Sequence, residues 1–195
     1  MILTLQTSGQ VALTTEDFAR FHAQITEFEE ELAKECKQLY VLCLEDKRIL
    51  SAYVLVERIE KAVSPKTWKY MSKLVRREIE ESGKCLAVER YTASGFHILL
   101  CVESVIREYV VSATGSMPTK RDWGHYHDLL KQHGASDEVT SIVDNMRRDD
   151  RNPLMHPEKF LKMDEAVGLF YLSQTALDRL ISDIEKRGFA KEFIP

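Results

Sequence analysis

Apolar residues recur at spacings of three and four along most of the chain, and this pattern predicts a mainly helical protein. The first stripe follows Thr14-Thr15-Glu16-Asp17, where a hydroxyl cap and acids in the first turn predict the start of a long amphipathic helix. The stripe consists of Phe18, Phe21, Ile25, Phe28, Leu32, Cys36 and Leu39. A helix with a single apolar stripe normally buries that stripe against a neighbour.

The segments on either side of this first helix are less regular. Residues 1–13 favour a short strand or an irregular lead-in, and Tyr40-Val41-Leu42-Cys43-Leu44 favours a second short strand. A turn is expected at Asp46-Lys47-Arg48, followed by helix over 52–62 and a break at Ser64-Pro65.

The remaining residues predict a bundle built around one very apolar helix, from Thr92 to Val111. Because apolar side chains cover nearly all of its sides, we expect this helix at the centre. A helix from Thr67 to about Ser82 should be interrupted at Gly83, with resumption through Cys85-Leu86-Ala87 as the alternative. The other expected elements are a loop over 115–118, helices over 121–132 and 137–148, a proline-bearing connection over 151–163, and a final helix from about Asp164 to Lys186.

Length and composition agree with one globular domain. The chain has 195 residues, of which 44% are hydrophobic, and its few glycines (8) and prolines (5) disfavour disorder and turn-rich β folds. We therefore predict a mainly all-α helical bundle forming a single domain over 1–195. Residues 1–65 would be a short N-terminal extension with minor β structure, and residues 66–195 the bundle.

Net charge, cysteine spacing and the distribution of apolar residues exclude some classes of protein. A net charge of −4 is unlike that of a protein that coats nucleic acid, so any such contact must be local. The four cysteines show no C-x-x-C spacing, which predicts reduced thiols in the cytoplasm. The first residues lack a cationic region and the chain lacks a long apolar run, so neither a signal peptide nor a membrane span is expected.

The segment Arg151-Asn152-Pro153-Leu154-Met155-His156-Pro157 is the best candidate for chemistry. A proline disfavours helical backbone at the residue before it, so we expect the preceding helix to end before Asn152. Asn152 would then cap a turn that begins at Pro153. Arg151 and His156 would lie in a constrained connection, where functional side chains are often found.

An arginine and a histidine beside a phosphodiester supply two parts of RNA cleavage. Arginine binds phosphate through paired hydrogen bonds and stabilises charge that grows on its oxygens. Histidine takes or gives a proton near neutrality. Cleavage through the ribose 2′-hydroxyl therefore needs no metal in principle.

The Arg151–His156 spacing is similar to the R-x4–6-H signature of HEPN domains, in which a polar residue commonly follows the arginine. The surroundings, over roughly residues 75–185, also resemble one group of bacterial HEPN-like proteins. The similar stretches are Cys85-Leu86-Ala87, Thr92-Ala93-Ser94-Gly95-Phe96-His97, Glu103 and Met163-Asp164-Glu165-Ala166.

This resemblance implies a bundle of four or five helices that dimerises. In catalytic HEPN domains, the arginine and histidine of two protomers line a shared cleft and cut RNA without a metal. Many such proteins belong to toxin–antitoxin or antiphage defence systems. Some toxins carry a tyrosine two residues after the histidine, where the antitoxin modifies them, and this chain has Glu158 there.

Other Arg–His pairs and a structural role for the motif remain as alternatives. Arg90 with His97 and Arg121 with His127 also match the R-x4–6-H spacing, but neither pair lies just before the final long helix. Alternatively, the motif is an interhelical clamp, in which the arginine binds helix C-terminal carbonyls and the histidine caps the next turn.

Further charged residues near the motif are candidates for supporting roles. Glu103 and Arg107 are four residues apart on the apolar central helix, and they are either a pair that orients Arg151 or a structural ion pair. Arg147 and Arg148 would bind substrate phosphates or lie on a solvated helix end.

The leading hypothesis is a homodimeric, metal-independent endoribonuclease with Arg151 and His156 catalytic and Asn152 positioning them. It needs no cofactor, and an antitoxin or another defence-system protein would be a further partner. His125-Tyr126-His127 does not predict a metal site, because side chains two residues apart on a helix point roughly opposite ways. The alternatives are a non-catalytic HEPN-like module that binds a partner protein, and a ligand-binding bundle with an enclosed pocket around Glu103 and Arg107.

Overall fold

The computed structural model of the chain describes residues 14–36, 44–48 and 50–188. Its contacts divide the chain into two units, residues 1–43 and residues 44–195. The first unit contains α1 (Thr15–Cys36). The second contains α2 (Ala52–Glu57), a 3-10 turn (Ile59–Ala62), α3 (Pro65–Tyr70), α4 (Lys73–Ala87), α5 (Tyr91–Thr114), α6 (Trp123–Gln132), α7 (Asp137–Met146), a π turn (Arg147–Arg151), α8 (Asn152–Leu154) and α9 (Met163–Lys186).

The prediction of an all-α helical bundle is confirmed. Within the described ranges no strand forms, and the β-type pairing seen there is an isolated bridge between Lys47 and Leu50. This bridge closes the predicted turn, because each of its two residues donates its backbone N–H to the carbonyl of the other. Residues 1–13 and the Tyr40–Cys43 part of the second predicted strand lie outside the described residues.

The start of α1 is as predicted. The Asp17 N–H donates to Thr14 Oγ1 over 3.1 Å, and the Thr14 N–H donates to Asp17 Oδ2 over 3.0 Å. This reciprocal capping box satisfies two backbone donors that a helix N-terminus otherwise leaves without partners.

The core of the second unit surrounds α5, as the sequence predicted. α5 packs against α4, α6 and α9, and its large apolar side chains are buried or half-buried except Phe96, which is 43% exposed. Leu55 and Ile59 of the region before α3 lie in the same core. Residues 44–65 thus pack as part of the bundle, although the sequence grouped them with the N-terminal extension.

The expected helix from Thr67 to Ser82 is instead two helices, and the interruption predicted at Gly83 is absent. The break occurs at Ser72, whose hydroxyl caps α4 by accepting from the Val75 N–H. The break predicted at Ser64-Pro65 is confirmed, since Ser64 caps α3 and Pro65 opens it. Gly83 lies inside α4, where its missing side chain admits the backbone of α2: a Cβ there would be 2.5 Å from Leu55 O.

None of the helices within the described ranges combines the length and apolar character needed to cross a membrane.

A methyl group at Gly83 should force α2 and α4 apart. We expect Gly83→Ala to lower the free energy of unfolding by about 1–3 kcal/mol, the usual cost of overpacking, despite the better helix propensity of alanine. Gly168→Ala on α9 is the matched control, because nothing lies within 4 Å of its Cβ position. That change should raise stability by roughly 0.5–1 kcal/mol. Urea unfolding measures both, and equal effects of the two substitutions would contradict the close approach.

Asp183 joins three elements through one buried carboxylate. Its Oδ2 accepts hydrogen bonds from Tyr109 Oη at 2.6 Å, from the Ser136 N–H at 3.1 Å and from Arg187 Nε at 3.3 Å. Burial alone would raise the pKa of Asp183, but these donors outweigh burial and lower it below the ordinary value of 3.8.

A lowered folded-state pKa means that Asp183 stabilises the fold above about pH 3.8 and that this contribution disappears as the pH falls through the folded-state value. Asp183→Asn should therefore lower the free energy of unfolding at pH 7 by about 1–3 kcal/mol, as for hydrogen bonds to a charged group. The difference from wild type should shrink below pH 3.8. Urea unfolding from pH 7 to pH 3 tests this, with exposed Glu158→Gln as the control; a gap that stays constant with pH would refute it.

Candidate functional site

The backbone around Arg151 is helical, contrary to the prediction from Pro153. α7 continues through the π turn into α8, and Asn152 has helical angles (φ −63°, ψ −48°). The expectation that Asn152 caps a new turn is also wrong, because no side-chain cap forms there. Pro153 has no N–H and would crowd the preceding turn of a regular α-helix. The wider π turn accommodates it, with the Asn152 N–H bonded to Arg147 O, five residues back.

The segment after this turn is held against the N-terminal half of α5. Leu154 is buried there, and the Leu161 N–H donates to Thr92 Oγ1 over 3.0 Å. Gly95 makes the contact possible, because a Cβ at this position would collide with Leu161 and lie 3.2 Å from Leu154. Lys159 adds an ion pair with Glu165 of α9 at 2.7 Å.

His156 lies between these anchoring contacts and faces solvent. Its backbone N–H bonds to Pro153 O at 3.1 Å, and its carbonyl accepts from the Lys159 N–H at 3.1 Å. Its side chain makes no hydrogen bond or ion pair with any residue that the structure describes. The ring is therefore held at the surface by its backbone alone and is open to a ligand.

Arg151 is half-buried, and its guanidinium also has no hydrogen-bond or ion-pair partner among the described residues. Its neighbours differ, since Arg147 bonds Asp144 at 2.7 Å and Arg148 bonds the same carboxylate at 3.2 Å. The hydrogen bond from Arg147 lowers the pKa of Asp144. Two of the three arginines near the motif are thus already paired, and the role of Arg147 and Arg148 in substrate binding stays a prediction.

A small acidic groove lies beside the π turn. It has a volume of about 270 Å³ and is lined by Asp149, Asp150, Lys159 and Glu165 together with apolar residues of the connection and α9. Burial, and next the charge of Asp149, raise the pKa of Asp150. Arg151 is not among the lining residues, so this groove and the Arg151 guanidinium are separate features.

Glu103 has a partner that sequence reasoning missed. Trp123 Nε1 of α6 donates to Glu103 Oε2 over 2.6 Å, and the indole is almost fully buried. Trp123 directly follows Asp122, which caps α6. A buried tryptophan needs an acceptor for its N–H, so Trp123 was a sequence signal for a bond of this kind. The orientation of Arg151 by Glu103 stays a prediction.

Arg107 and Tyr126 lie in the same α5–α6 region. Arg107 Nε and Tyr126 Oη are buried without a hydrogen-bond partner among the described atoms. Burial raises the pKa of Tyr126, while the positive charge of Arg107 opposes this shift.

The histidines of the two competing Arg–His pairs are already engaged. His97 Nδ1 lies 2.8 Å from Glu78 Oε2, and His127 Nδ1 lies 3.2 Å from Asp128 Oδ1. Within the described ranges, no group of three or more His, Cys, Asp or Glu side chains is arranged to hold a metal.

A larger groove lies between the connection and the start of α5. It has a volume of about 620 Å³, and Arg90, Thr92, Phe96, Phe160 and Leu161 are among its lining residues. Phe160 is 74% exposed, the highest value for a large apolar side chain in the described structure. The sequence pattern did not reveal this groove, because the residues on its two sides are about 70 positions apart.

No protein-family model, curated protein or solved structure matches this chain. The resemblance to HEPN domains therefore rests on the residues of the sequence alone.

Proposed function

We propose that this protein is a metal-independent endoribonuclease of HEPN type, with Arg151 and His156 as its catalytic residues. The observation that carries this proposal is that neither side chain has a hydrogen-bond or ion-pair partner among the described residues, whereas the neighbouring Arg147 and Arg148 are both paired with Asp144. The clamp alternative requires polar contacts of Arg151 and His156 within the chain. Asn152, exposed between them, would position the substrate or the two catalytic side chains.

The proposed reaction is transesterification within RNA. A His156 imidazole takes the proton of the ribose 2′-hydroxyl, and the O2′ electron pair forms a bond to phosphorus. The bond from phosphorus to the 5′-oxygen breaks, and a second, protonated imidazole gives its proton to that oxygen. Arg151 stabilises the charge on the non-bridging oxygens. The products are a 2′,3′-cyclic phosphate and a 5′-hydroxyl.

The need for both a base and an acid supports a homodimer. One chain offers one His156, whereas a two-fold axis near the motif brings two into one cleft. Exposed Met155 and Phe160 flank His156 and provide apolar surface for such an interface. The apolar side chains of α5 are largely buried within one bundle, so the expected interface lies at the connection rather than along α5.

Four further charged residues have supporting roles in the proposed reaction. Arg148 remains 56% exposed while paired with Asp144, so it could exchange that carboxylate for a phosphate, and Arg147 could follow. Glu103 and Arg107 would support the site through α5. We place the activity in the cytoplasm, with an antitoxin or another defence-system protein as the regulatory partner.

One observation favours a second candidate function. The highly exposed Phe160 borders a groove of about 620 Å³, which would suit a non-catalytic HEPN-like module that binds a partner protein. In that case Arg151 and His156 contribute to binding and not to cleavage.

We expect the purified protein to cut mixed RNA substrates in EDTA and to leave DNA intact, because DNA lacks the 2′-hydroxyl. His156→Ala should lower the rate by roughly 10²–10⁴-fold, and Arg151→Ala by about 10²–10³-fold. Both variants should stay folded, since the two side chains make no polar contacts within the described chain. Rates come from gel-resolved cleavage, and end-group analysis identifies the cyclic phosphate.

Arg121→Ala and His127→Ala are the matched controls, because this pair has nearly the same spacing elsewhere in the chain. Both control variants should cut RNA at the wild-type rate. The wild-type cleavage rate should have a bell-shaped dependence on pH, centred near neutrality, because one imidazole acts as the base and another as the acid. RNA that stays intact with wild type, or equal rates for the motif variants and the controls, would exclude the catalytic assignment. Retained partner binding without cleavage would then favour the interaction module.

The dimer should depend on the surface at the connection. Light scattering should give about twice the 22.5 kDa chain mass at micromolar concentration. Phe160→Glu should weaken self-association and lower cleavage per chain, because it places a charge in the expected interface. Leu74→Glu, which alters a similarly exposed apolar residue on α4, is the control and should change neither. Unaltered association and cleavage for Phe160→Glu would remove the composite site.

A further inference from the structure

The groove between the connection and the start of α5 has walls that are bonded to each other. Thr92 Oγ1 accepts from the Leu161 N–H over 3.0 Å, and the missing side chain of Gly95 lets Leu161 pack closely against α5. The groove has a volume of about 620 Å³, which lies within the usual range for small-ligand sites of roughly 300–1,000 Å³. It is therefore a preformed concavity of the right size for a small ligand.

Two exposed aromatic rings line this groove. Phe96 is 43% exposed, although the other large apolar side chains of α5 are buried or half-buried, and Phe160 is 74% exposed. Exposed aromatic rings are the platforms on which the bases of single-stranded nucleic acids stack, because every base has a flat π-face. The lining therefore suits a planar aromatic group.

The charge of the groove suits an anion. Arg90 lines it, is exposed, and has no hydrogen-bond or ion-pair partner for its guanidinium among the described residues. Glu89, the other charged residue of the lining, is bonded to the buried ammonium of Lys47 over 2.8 Å, which offsets its charge. An unopposed guanidinium binds phosphate through two parallel hydrogen bonds.

A nucleotide combines a planar base with an anionic phosphate, so it matches both the rings and the arginine. The groove also lies near the proposed catalytic residues. Phe160 follows His156 by four residues, so their Cα atoms are at most about 14 Å apart even along an extended chain. A nucleotide held in the groove would therefore be close to the phosphate that is cut.

A protein partner fits the groove less well. A stable protein interface engages roughly 20–30 residues on each side. Eight of the described residues line the groove, and they offer one unpaired charge and two exposed rings. This set is too small for a protein interface of its own, and it favours a single nucleotide.

We propose that the groove binds an unpaired nucleotide of the RNA substrate, with its base stacked on Phe96 and Phe160 and its phosphate held by Arg90. The proposal rests on the ribonuclease function proposed above and makes the substrate single-stranded at this position, because a base paired inside a duplex cannot reach the rings. Stacking and phosphate binding do not use the ribose 2′-hydroxyl. Single-stranded DNA should therefore occupy the groove without being cut.

The first experiment measures binding apart from cleavage, in the full chain carrying His156→Ala. Fluorescence anisotropy gives the Kd for a labelled single-stranded RNA of roughly ten nucleotides, within the usual size of such binding sites. The same strand annealed to its complement should bind at least about 10-fold more weakly, because its bases are not free to stack. Single-stranded DNA of the same sequence should bind with a Kd within about threefold of that for RNA.

Groove variants in this background test the two kinds of contact. Phe96→Leu, which stays apolar but removes the ring, and Arg90→Gln should each raise the Kd for single-stranded RNA by about 10-fold. Phe96→Trp should retain binding, since it keeps an aromatic face. Arg90→Gln should also reduce the slope of log affinity against log salt concentration by about 0.7, as for one lost phosphate contact on a single strand.

Leu74→Ala and Arg77→Gln are the matched controls, because both residues are exposed on α4 and neither lines the groove. They should change the Kd by less than about threefold. Phe160 is left unchanged, since it is also expected at the dimer interface, and circular dichroism checks that each variant stays folded. Equal Kd values for groove and control variants would overturn the proposal. So would a duplex that binds as tightly as the single strand, or an absence of RNA binding, which would leave the groove to a protein partner.

The second experiment separates this proposal from the catalytic one. With the wild-type chain, single-stranded DNA should inhibit RNA cleavage competitively, raising the apparent KM and leaving kcat unchanged, and Phe96→Leu should raise the inhibition constant by about 10-fold. If wild type cuts no RNA but the binding results hold, the groove stands and the catalytic assignment fails. If wild type cuts RNA while Phe96→Leu and Arg90→Gln leave KM and the inhibition by DNA unchanged, the catalytic assignment stands and the groove proposal fails.

Discussion

The need to cover α5 on all sides organises the second unit. This helix is apolar around nearly its whole circumference, and each exposed methylene would cost free energy in water. α4, α6 and α9 surround it, and the region before α3 adds Leu55 and Ile59 to the same core. Burial is deep enough to raise the pKa of the Cys101 thiol, which makes it unreactive.

The same constraint positions the candidate site. The N-terminal half of α5 is covered by Leu154 and Leu161, which lie on either side of the exposed stretch containing His156. Gly95 allows the chain to approach this closely, and the π turn lets α7 continue past Pro153 to reach it. A surface histidine and a half-buried arginine are therefore held on a supported backbone and not on a free loop, which favours precise chemistry.

Two polar side chains of α5 have partners on other helices. Glu103 accepts from Trp123 of α6, and Tyr109 donates to Asp183 of α9. Each bond avoids the cost of a buried polar group without a partner, and the two bonds link α5 to α6 and to α9. Arg147 and Arg148 are paired with Asp144, whereas Arg151 has no polar partner among the described residues. Arginines that are close in sequence therefore differ in how available their guanidinium groups are to a ligand.

By itself the sequence determined most of the helical segments, the central position of the Thr92–Val111 segment, the cap at Thr14 and the break at Ser64-Pro65. These features depend on periodicity and on neighbours within four residues. Only the tertiary structure decided that Gly83 lies inside a helix, that Asn152 stays helical before a proline, and which Arg–His pair has free side chains. Each of those outcomes depends on a contact or a backbone adjustment, such as the approach of Leu55 to Gly83. The free energy of that contact or adjustment outweighs the local preference of the residue, and the periodicity of the sequence does not encode it.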